Sequence, residues 1–403
     1  MSARFLQFHT LTSFPASLLN RDDAGLAKQI PFGGSVRTRI SSQCLKRHWR
    51  TFEGDHDLKT IAGDMGLSVR SREAFRRKVA QPLIADGLDP AKVEAVVGAL
   101  MRQALGESAK KAKGRAAADA GGEADAEVPA KDAKAKKDDG DALHTGQIVV
   151  LGERELAFVR ATAAAVIAEI KDLKKVDDAV KAALGKEALA NLKATTNAGL
   201  DAAVFGRMVT SDNLARCDAA IHVAHSFTVH ASQSEADYFT AMDDLTLEAG
   251  EGGSGHINST DLTTGLFYGY VVVDVDLLVK NLGGDRALAA SVVESIPHLI
   301  ATVSPGAKLG STAPHSFAHL LLAEAGNRQP CTLANAFLGS VPLKGNLLET
   351  TYARLAQEAG DLDANFGSTP ARTAMIRGAP FPLPGLAPTS LPTVAAWCAD
   401  QVR

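Results

Sequence analysis

The sequence has no apolar run close to the roughly 20 residues that a transmembrane helix needs, so it does not predict a membrane-spanning protein. Its first fifteen residues, MSARFLQFHTLTSFP, lack the long apolar stretch and the small-residue cleavage site of a secretory signal. The four cysteines are scattered and form no C-x-x-C pair, which speaks against a disulfide framework. We therefore expect a protein of the reducing cytoplasm with no membrane partner.

Familiar signatures of catalysis are also missing. GAKLGS at 306–311 lacks the G-K-[ST] ending of a phosphate-binding Walker A loop, and no G-x-S-x-G nucleophile motif occurs. His222, His225 and His230 lie close in sequence, but on a strand His222 and His225 point to opposite faces, which prevents chelation by that pair. We expect no catalytic residue, no metal and no cofactor.

The net charge is only −3 over 403 residues, which argues against a surface that coats nucleic acid by bulk charge. Positive charge is concentrated in VRTRISSQCLKRHWR, residues 36–50, which contains no acid. Its Arg37 and Arg39 are two apart, so on a strand they point the same way. Ser41 or Ser42 is a natural N-cap for a helix that follows.

The predicted helix SSQCLKRHWRTF has two different faces, because residues three and four apart lie side by side. The polar stripe consists of Gln43, Lys46, Arg47 and Arg50. The apolar stripe consists of Leu45, Trp49 and Phe52. Free N–H groups at the start of the helix add a place for an anion. The segment therefore predicts contacts with consecutive phosphates, and it leaves open whether these belong to RNA, DNA or a phosphorylated small molecule.

Along the chain, apolar periodicity predicts an order of strands and helices. A short strand at 4–9 precedes a long loop through PFGG, and helical patterns cover 56–105 and 152–198. Strands are predicted at 218–232, 264–278 and 316–326, with helices at 234–244 and 285–302 between them. This order fits a split α+β sandwich with helices on one face of a sheet. Residues 106–146, rich in Ala, Lys, Asp, Glu and Gly, are predicted to be a disordered insertion.

The segment HTLTSFPASLLNRDDAGLAKQIPFGGSVRTRISSQCLKRHWR closely resembles the N-terminal signature of the CasC family, the repeated backbone subunits of the type I-E CRISPR surveillance complex, Cascade. The likeness continues in several later motifs that follow in the family's order. These are GRMVTSD (206–212), DAAIHVAHSFTVH (218–230), DYFTAMDDL (237–245), TGLFYGYVVVDVDLLVKNLGG (264–284) and PGAK (305–308). Two positions depart from the pattern: Ser35 is basic in some relatives, and Cys44 stands where Ser is common.

The resemblance implies an α+β fold with an RRM-like (ferredoxin-like) palm, a long helical finger insertion and a protruding thumb loop. Residues 1–55 would form the N-terminal part of the palm with the basic helix, and 56–200 the fingers with the insertion at 106–146. Residues 201–403 would complete the palm, with the thumb at 243–265.

The resemblance also implies a non-catalytic subunit that polymerises head to tail along the guide crRNA and leaves its bases free to pair with target DNA. Its other partners would be the large subunit, the small subunit, the 5′-end cap subunit and the repeat endonuclease of Cascade. Carried over residue by residue, the RNA contacts fall on Asn20, Arg21, Lys28, Ser41, Gln43, Lys46, Arg47, Arg50, Met208, Tyr238, Phe239 and Thr240.

Two other functions are compatible with parts of the sequence. Asp22 and Asp23 form an acidic pair in a loop, and related type III backbone subunits cut target RNA with a loop aspartate, so a metal-dependent RNA endonuclease is the enzymatic alternative. A generic single-stranded RNA-binding protein is the other alternative, and it would bind RNA without a fixed stoichiometry.

Overall fold

A computed structural model describes residues 3–105, 143–185, 198–207, 216–242, 254–367 and 369–403 of the chain. For residues 239–242 and 254–258 it describes the backbone alone. The fold is a mixed α+β structure built around one long, mainly antiparallel sheet. None of the helices described in these ranges has both the length and the apolar character that crossing a bilayer requires.

The sheet is centred on β1 (Phe5–Ser17), which pairs on one side with β9 (Ser254–Asp274) and on the other with β10 (Leu320–Gly326), both antiparallel. The remaining strands are β2 (Gln29–Phe32), β3 (Ser35–Ile40), β6 (Ile221–Val223), β7 (Ser226–Thr228), β8 (Ser234–Met242), β11 (Ala371–Ile376) and β12 (Pro388–Thr389). The strand order is β12-β11-β10-β1-β9-β7-β3-β2, and β6 and β8 also pair with β9. The central four strands, β10-β1-β9-β7, are therefore all antiparallel neighbours.

The first strand is longer than its sequence pattern predicts. It continues past residue 9 to Ser17, and its register with β9 shifts between Phe14 and Ser17. The shift surrounds Pro15, which cannot donate a ladder hydrogen bond, and Ala16, whose φ of 34° is a left-handed conformation. The predicted loop through PFGG is likewise wrong at its end, because β2 and β3 pair as a hairpin that turns at Gly33 and Gly34.

Helices cover both faces of the sheet. On one face, α2 (Leu58–Ala62), α8 (Val275–Asn281), α9 (Arg286–Thr302) and α12 (Leu391–Asp400) pack over a core that includes Leu6, Phe8, Val271, Val273 and Leu321. The short helix α10 (Leu309–Thr312) follows α9 in the chain, before β10. On the other face, α11 (Leu347–Phe366) packs over residues that include Leu11, Leu266, Leu320 and Leu322. Adjacent residues of a strand supply the two cores because side chains alternate across a sheet. The prediction that helices cover one face is therefore wrong, whereas the helix predicted at 285–302 is confirmed.

A second body, helical for the most part, has a core of its own. It contains a two-stranded sheet of β4 (Val69–Ser71) and β5 (Val149–Leu151), a π-helical turn (Arg76–Ala80) and the helices α3 (Gln81–Ala85), α4 (Pro90–Leu105), α5 (Glu153–Glu169) and α6 (Val176–Ala183). Its buried residues form a cluster separate from the two sheet cores. Most of the predicted disordered insertion at 106–146 lies outside the described residues. Leu143 and Thr145 are buried, so the ordered structure resumes before residue 146, where the insertion was predicted to end.

The segment predicted as a helix at 234–244 is a strand over the residues described. Backbone pairs join β8 to β9 from Ser234–Thr263 to Met242–Ser254, which makes a two-stranded arm. The sequence SEADYFTAM contains good helix formers, and pairing with β9 overrides that local preference. Of the predicted thumb at 243–265, residues 243–253 lie outside the described residues, and 254–263 form the second strand of this arm. Residues 264–265 continue β9 toward its pairing with β1.

The HTL motif at residues 9–11, which opens the segment that resembles the CasC signature, has a structural role in the sheet. His9 is fully buried, with Nδ1 2.9 Å from the Tyr268 hydroxyl and Nε2 3.3 Å from Glu324. Burial raises the pKa of Glu324, but the hydrogen bond and charge of His9 and the charge of Arg372 outweigh it and lower that pKa to about 2. The motif therefore joins β1 to both of its neighbours, β9 and β10.

Candidate nucleic-acid interface

The basic stretch forms α1 (Ser42–Thr51), as its sequence predicts. Ser41 is the N-cap, and its hydroxyl accepts a hydrogen bond from the backbone N–H of Cys44 at 3.2 Å. Trp49 is buried in the main core, and Leu45 and Phe52 pack against that core. The predicted apolar stripe is therefore confirmed, and it fixes which side of the helix faces outward.

The outward side of α1 carries the predicted polar stripe. Gln43 and Arg47 are exposed, and Lys46 and Arg50 are half-buried. Burial and then the charge of Arg70 lower the pKa of Lys46. The same two causes act on Arg50, whose pKa is lowered despite the opposing charge of Asp201. Cations held close together repel one another in the free protein. A polyanion that binds there relieves this repulsion.

The loop before β2 lies beside the start of α1. Asn20 is buried, and its Oδ1 accepts a hydrogen bond from the Ser41 backbone N–H at 2.8 Å. Lys28 is 6% exposed and its N–H donates to the Asn20 carbonyl oxygen, while half-buried Arg21 forms an isolated β-bridge with Ala27. The structure thus places the loop that carries these predicted residues beside the start of α1, and it gives Asn20 an internal role that the sequence did not indicate.

Arg37 and Arg39 do not share the exposed surface that their spacing predicts. Arg37 is fully buried and donates to the carbonyl oxygens of Thr228 at 3.0 Å and Phe337 at 2.9 Å. The expectation of a paired cationic surface is wrong because segments distant in sequence cover the Arg37 side of the hairpin. Arg39 is half-buried, and its Nη1 lies 3.0 Å from His225 Nδ1.

Two further side chains, His225 and Arg70, join the basic surface and were not among the predicted RNA contacts. His225 has a lowered pKa, caused by burial and then by the charges of Arg39, Lys28 and Lys46. Arg70, on β4 of the helical body, acts electrostatically on both Lys46 and Arg50. No local signal marks Arg70, because its proximity to α1 depends on how the helical body meets the sheet.

The remaining predicted contacts lie at a second place, on the β8–β9 arm. Tyr238 is 65% exposed, and an open groove beside it is lined by Ala16, Gln233, Glu235, Asp237 and Leu262 among others. Phe239 and Thr240 pair through their backbones with Asn258 and Ile257. Acidic side chains repel phosphate, so this groove is better suited to a stacked base than to the sugar-phosphate chain. Met208 lies outside the described residues.

The acidic pair considered for a nuclease has a local role in the loop. Asp22 Oδ1 accepts hydrogen bonds from the backbone N–H groups of Ala24 at 2.9 Å and Leu26 at 3.0 Å. Asp23 is exposed. His222 is exposed and His230 is buried. In the part of the chain that the structure describes, no group of three or more His, Cys, Asp or Glu side chains could hold a metal ion.

Solved structures with a similar fold belong to CRISPR assemblies. One is a chain of a "CRISPR RNA-guided surveillance complex, pre-nicking", with a TM-score of 0.74 and 24% identity over 99% of this chain and 100% of that one. Another is a chain of a "CRISPR RNA-guided surveillance complex", with a TM-score of 0.67 and 21% identity over 98% of this chain and 99% of that one. At these identities the likeness establishes a shared fold.

A search among curated proteins finds no match to this chain. A family model described as "CT1975-like protein" matches residues 6–391, which is nearly the whole sequence. The match confirms the kinship with CRISPR-associated (Cas) proteins that the sequence motifs predict. The chain belongs to the CT1975-like protein family of Cas proteins.

Proposed function

We propose that this protein is a non-catalytic backbone subunit of a type I-E CRISPR surveillance complex, Cascade, and that it binds the phosphate backbone of the guide crRNA along α1. The observation that carries the proposal is the outward stripe of Gln43, Lys46, Arg47 and Arg50, held in place by buried Trp49. Outward-facing cations on a helix that is anchored by its apolar side can bind consecutive phosphates without reading sequence, and the bases stay free to pair with target DNA.

The architecture agrees with this role. The antiparallel order β10-β1-β9-β7 is the order of a ferredoxin-like sheet and supports an RRM-like palm. The helical body with its own core supports the finger assignment, and the β8–β9 arm supports a thumb. Exposed Tyr238 on that arm offers an aromatic surface to an unstacked base.

A backbone role also requires copies of the chain to meet head to tail. Such a heterologous contact does not close on itself, so it propagates along the RNA as an open array. The other Cascade subunits, namely the large, small and 5′-end cap subunits and the repeat endonuclease, would then bind to this array in the cytoplasm. We retain the metal-dependent RNA endonuclease as the competing function, with Asp23 as its candidate acid. Asp22 is also exposed, but its carboxylate accepts two backbone hydrogen bonds within the loop.

The proposal is tested by mixing the protein with single-stranded RNAs of increasing length and counting bound copies by native mass spectrometry. A backbone subunit adds one copy for each fixed increment of RNA and leaves the RNA intact in Mg²⁺ or Mn²⁺. Binding without a fixed increment would favour a generic RNA-binding protein. Cleavage that disappears in Asp23→Asn would instead establish the endonuclease and refute the proposal.

A further inference from the structure

Three residues, Ser68, Arg70 and Arg50, surround one buried carboxylate. Asp201, on α7 (Leu200–Phe205), is fully buried, and its two oxygens accept hydrogen bonds from the Ser68 backbone N–H and hydroxyl, each at 2.6 Å. Arg70 Nη2 donates to Asp201 Oδ2 at 3.1 Å. Arg50 Nε lies 3.9 Å from the same oxygen. The carboxylate therefore lies between α1 of the sheet body and β4 of the helical body.

The position of this carboxylate is fixed by close backbone packing. Gly199 has a φ of 105°, and a Cβ placed there would lie 2.5 Å from the Ser68 backbone nitrogen. The Leu200 N–H also donates to the Gly66 carbonyl oxygen at 2.9 Å. Only glycine permits this approach. Asp201 is consequently held rigidly against the strand that carries Arg70.

The charges around Asp201 do not balance. One carboxylate faces Arg50 and Arg70, and the charge of Arg70 also reaches Lys46. The side chains of Arg50 and Arg70 keep 20% and 34% of their surface exposed. A guanidinium has five N–H donors, so both arginines can bind Asp201 on the inside and an anion on the outside. The excess positive charge is therefore exposed to solvent, next to the polar stripe of α1.

We infer that Arg70 is a further phosphate-binding residue, and that Asp201 is a positioning residue that holds Arg50 and Arg70 toward the same stretch of backbone. The inference rests on the proposed function, since the anion is a phosphate of the RNA that follows α1. It extends the phosphate path from α1 onto β4. A fixed pair of guanidiniums loses less side-chain entropy on binding than two free arginines do.

The direction in which Asp201→Asn changes the affinity for RNA distinguishes a charge effect from a positioning role. If the carboxylate acted only through its charge, its removal in Asp201→Asn would tighten the binding of a polyanion. If it positions two arginines, the same substitution weakens binding, and we expect about tenfold, the size of one lost charge-assisted hydrogen bond. Asp64→Asn, at an exposed acid in the same region, is the matched control for the loss of one negative charge.

The experiment measures binding of the full chain to fluorescent oligouridylate across a series of salt concentrations, with thermal melting of each variant as a check on folding. Arg70→Gln should make the log–log salt slope shallower by about 0.7, the value for one phosphate contact with a single strand. Arg70→Lys, which keeps the charge, should retain the slope with weaker binding. Ser68→Ala removes a hydrogen bond to Asp201 with no change of charge and should weaken binding, so it replaces Asp201→Asn if that variant does not fold.

The outcomes separate the two proposals. A shallower slope in Lys46→Ala/Arg47→Ala together with an unchanged slope in Arg70→Gln would overturn the role of Arg70 and leave the α1 site standing. Unchanged slopes in both would remove the proposed function as well. Folded Asp201→Asn or Ser68→Ala protein that binds as tightly as the original chain would overturn the positioning role.

Discussion

The Asn20 side-chain oxygen accepts a hydrogen bond of 2.8 Å from the Ser41 backbone N–H, and both residues are about 1% exposed. Ser41 in turn caps α1 through Cys44. The loop before β2, which contains LNRDD at residues 19–23, and the start of the basic helix are thus one hydrogen-bonded unit. This explains how two motifs separated by twenty-one residues in the sequence act in one place.

Replacing Asn20 by Ala should destabilise the fold. The substitution leaves the Ser41 N–H buried without its acceptor, which costs about 1–3 kcal/mol of unfolding free energy. Urea denaturation measures this change, and Asn365→Ala at the exposed end of α11 is the control expected to cost far less. Because Asn20 is buried, the salt slope for RNA should stay unchanged. A stable Asn20→Ala protein with a shallower slope would instead identify Asn20 as a phosphate contact.

Two arginines ten residues apart should respond in opposite ways to alanine. Arg37→Ala removes a buried guanidinium that donates to the carbonyl oxygens of Thr228 and Phe337, so we expect a loss of about 2 kcal/mol or more in unfolding free energy. Arg47 is exposed, so Arg47→Ala should leave stability within about 0.5 kcal/mol and reduce RNA binding. Urea denaturation of both variants measures the unfolding free energy, and salt titration measures RNA binding. Equal stabilities of the two would contradict the structure of the β2–β3 hairpin.

Tyr238 should contribute to RNA binding through its ring. Stacking of a base on an aromatic side chain is worth about 1–3 kcal/mol by alanine substitution, so Tyr238→Ala should weaken binding of single-stranded RNA by about tenfold. Tyr238→Phe keeps the ring and should bind almost as well as the original chain. If Phe weakens binding as much as Ala does, the hydroxyl and not the ring makes the contact. The salt slope should be the same in all three proteins, because no phosphate contact is lost.

The stacked histidines His56 and His298 should make stability depend on pH. Their ring centroids lie 3.6 Å apart, with an angle of 8° between the ring planes. Burial, and then the charge of His56, lowers the pKa of His298 from 6.5 to about 4. Between these values the unfolded chain binds a proton that the folded chain does not, so stability is lost as the pH falls from about 6.5 to about 4. Unfolding free energy measured across this range should fall less steeply in His298→Gln. Identical pH profiles would show that His298 titrates normally in the folded protein.

Local patterns were sufficient to predict α1, its N-cap and its buried face. The reason is that a cap and an amphipathic stripe depend on residues within a few positions of one another. The segment of β8 was predicted wrongly, since its helix-forming residues are overridden by pairing with β9, which a local pattern does not contain.

Features that depend on distant segments could not be predicted in the same way. The burial of Arg37 results from carbonyl groups 191 and 300 residues away, and the Arg70–Asp201 contact joins residues 131 apart. Helix α11, which covers the second face of the sheet, was absent from the predicted order of elements. Helical spacing supplied the position of Lys46, and the family resemblance supplied that of Tyr238. Arg70 and Asp201 became visible only once the two bodies were placed together.

The most direct test of the central claim is the salt dependence of single-stranded RNA binding by Lys46→Ala/Arg47→Ala. Two lost phosphate contacts should make the log–log slope shallower by about 1.4, since each contributes about 0.7 for a single strand. Lys174→Ala/Lys181→Ala removes the same charge from exposed positions of the helical body and should keep the original slope. A slope for the α1 variant equal to that of this control would contradict the assignment of α1 as the phosphate-binding surface.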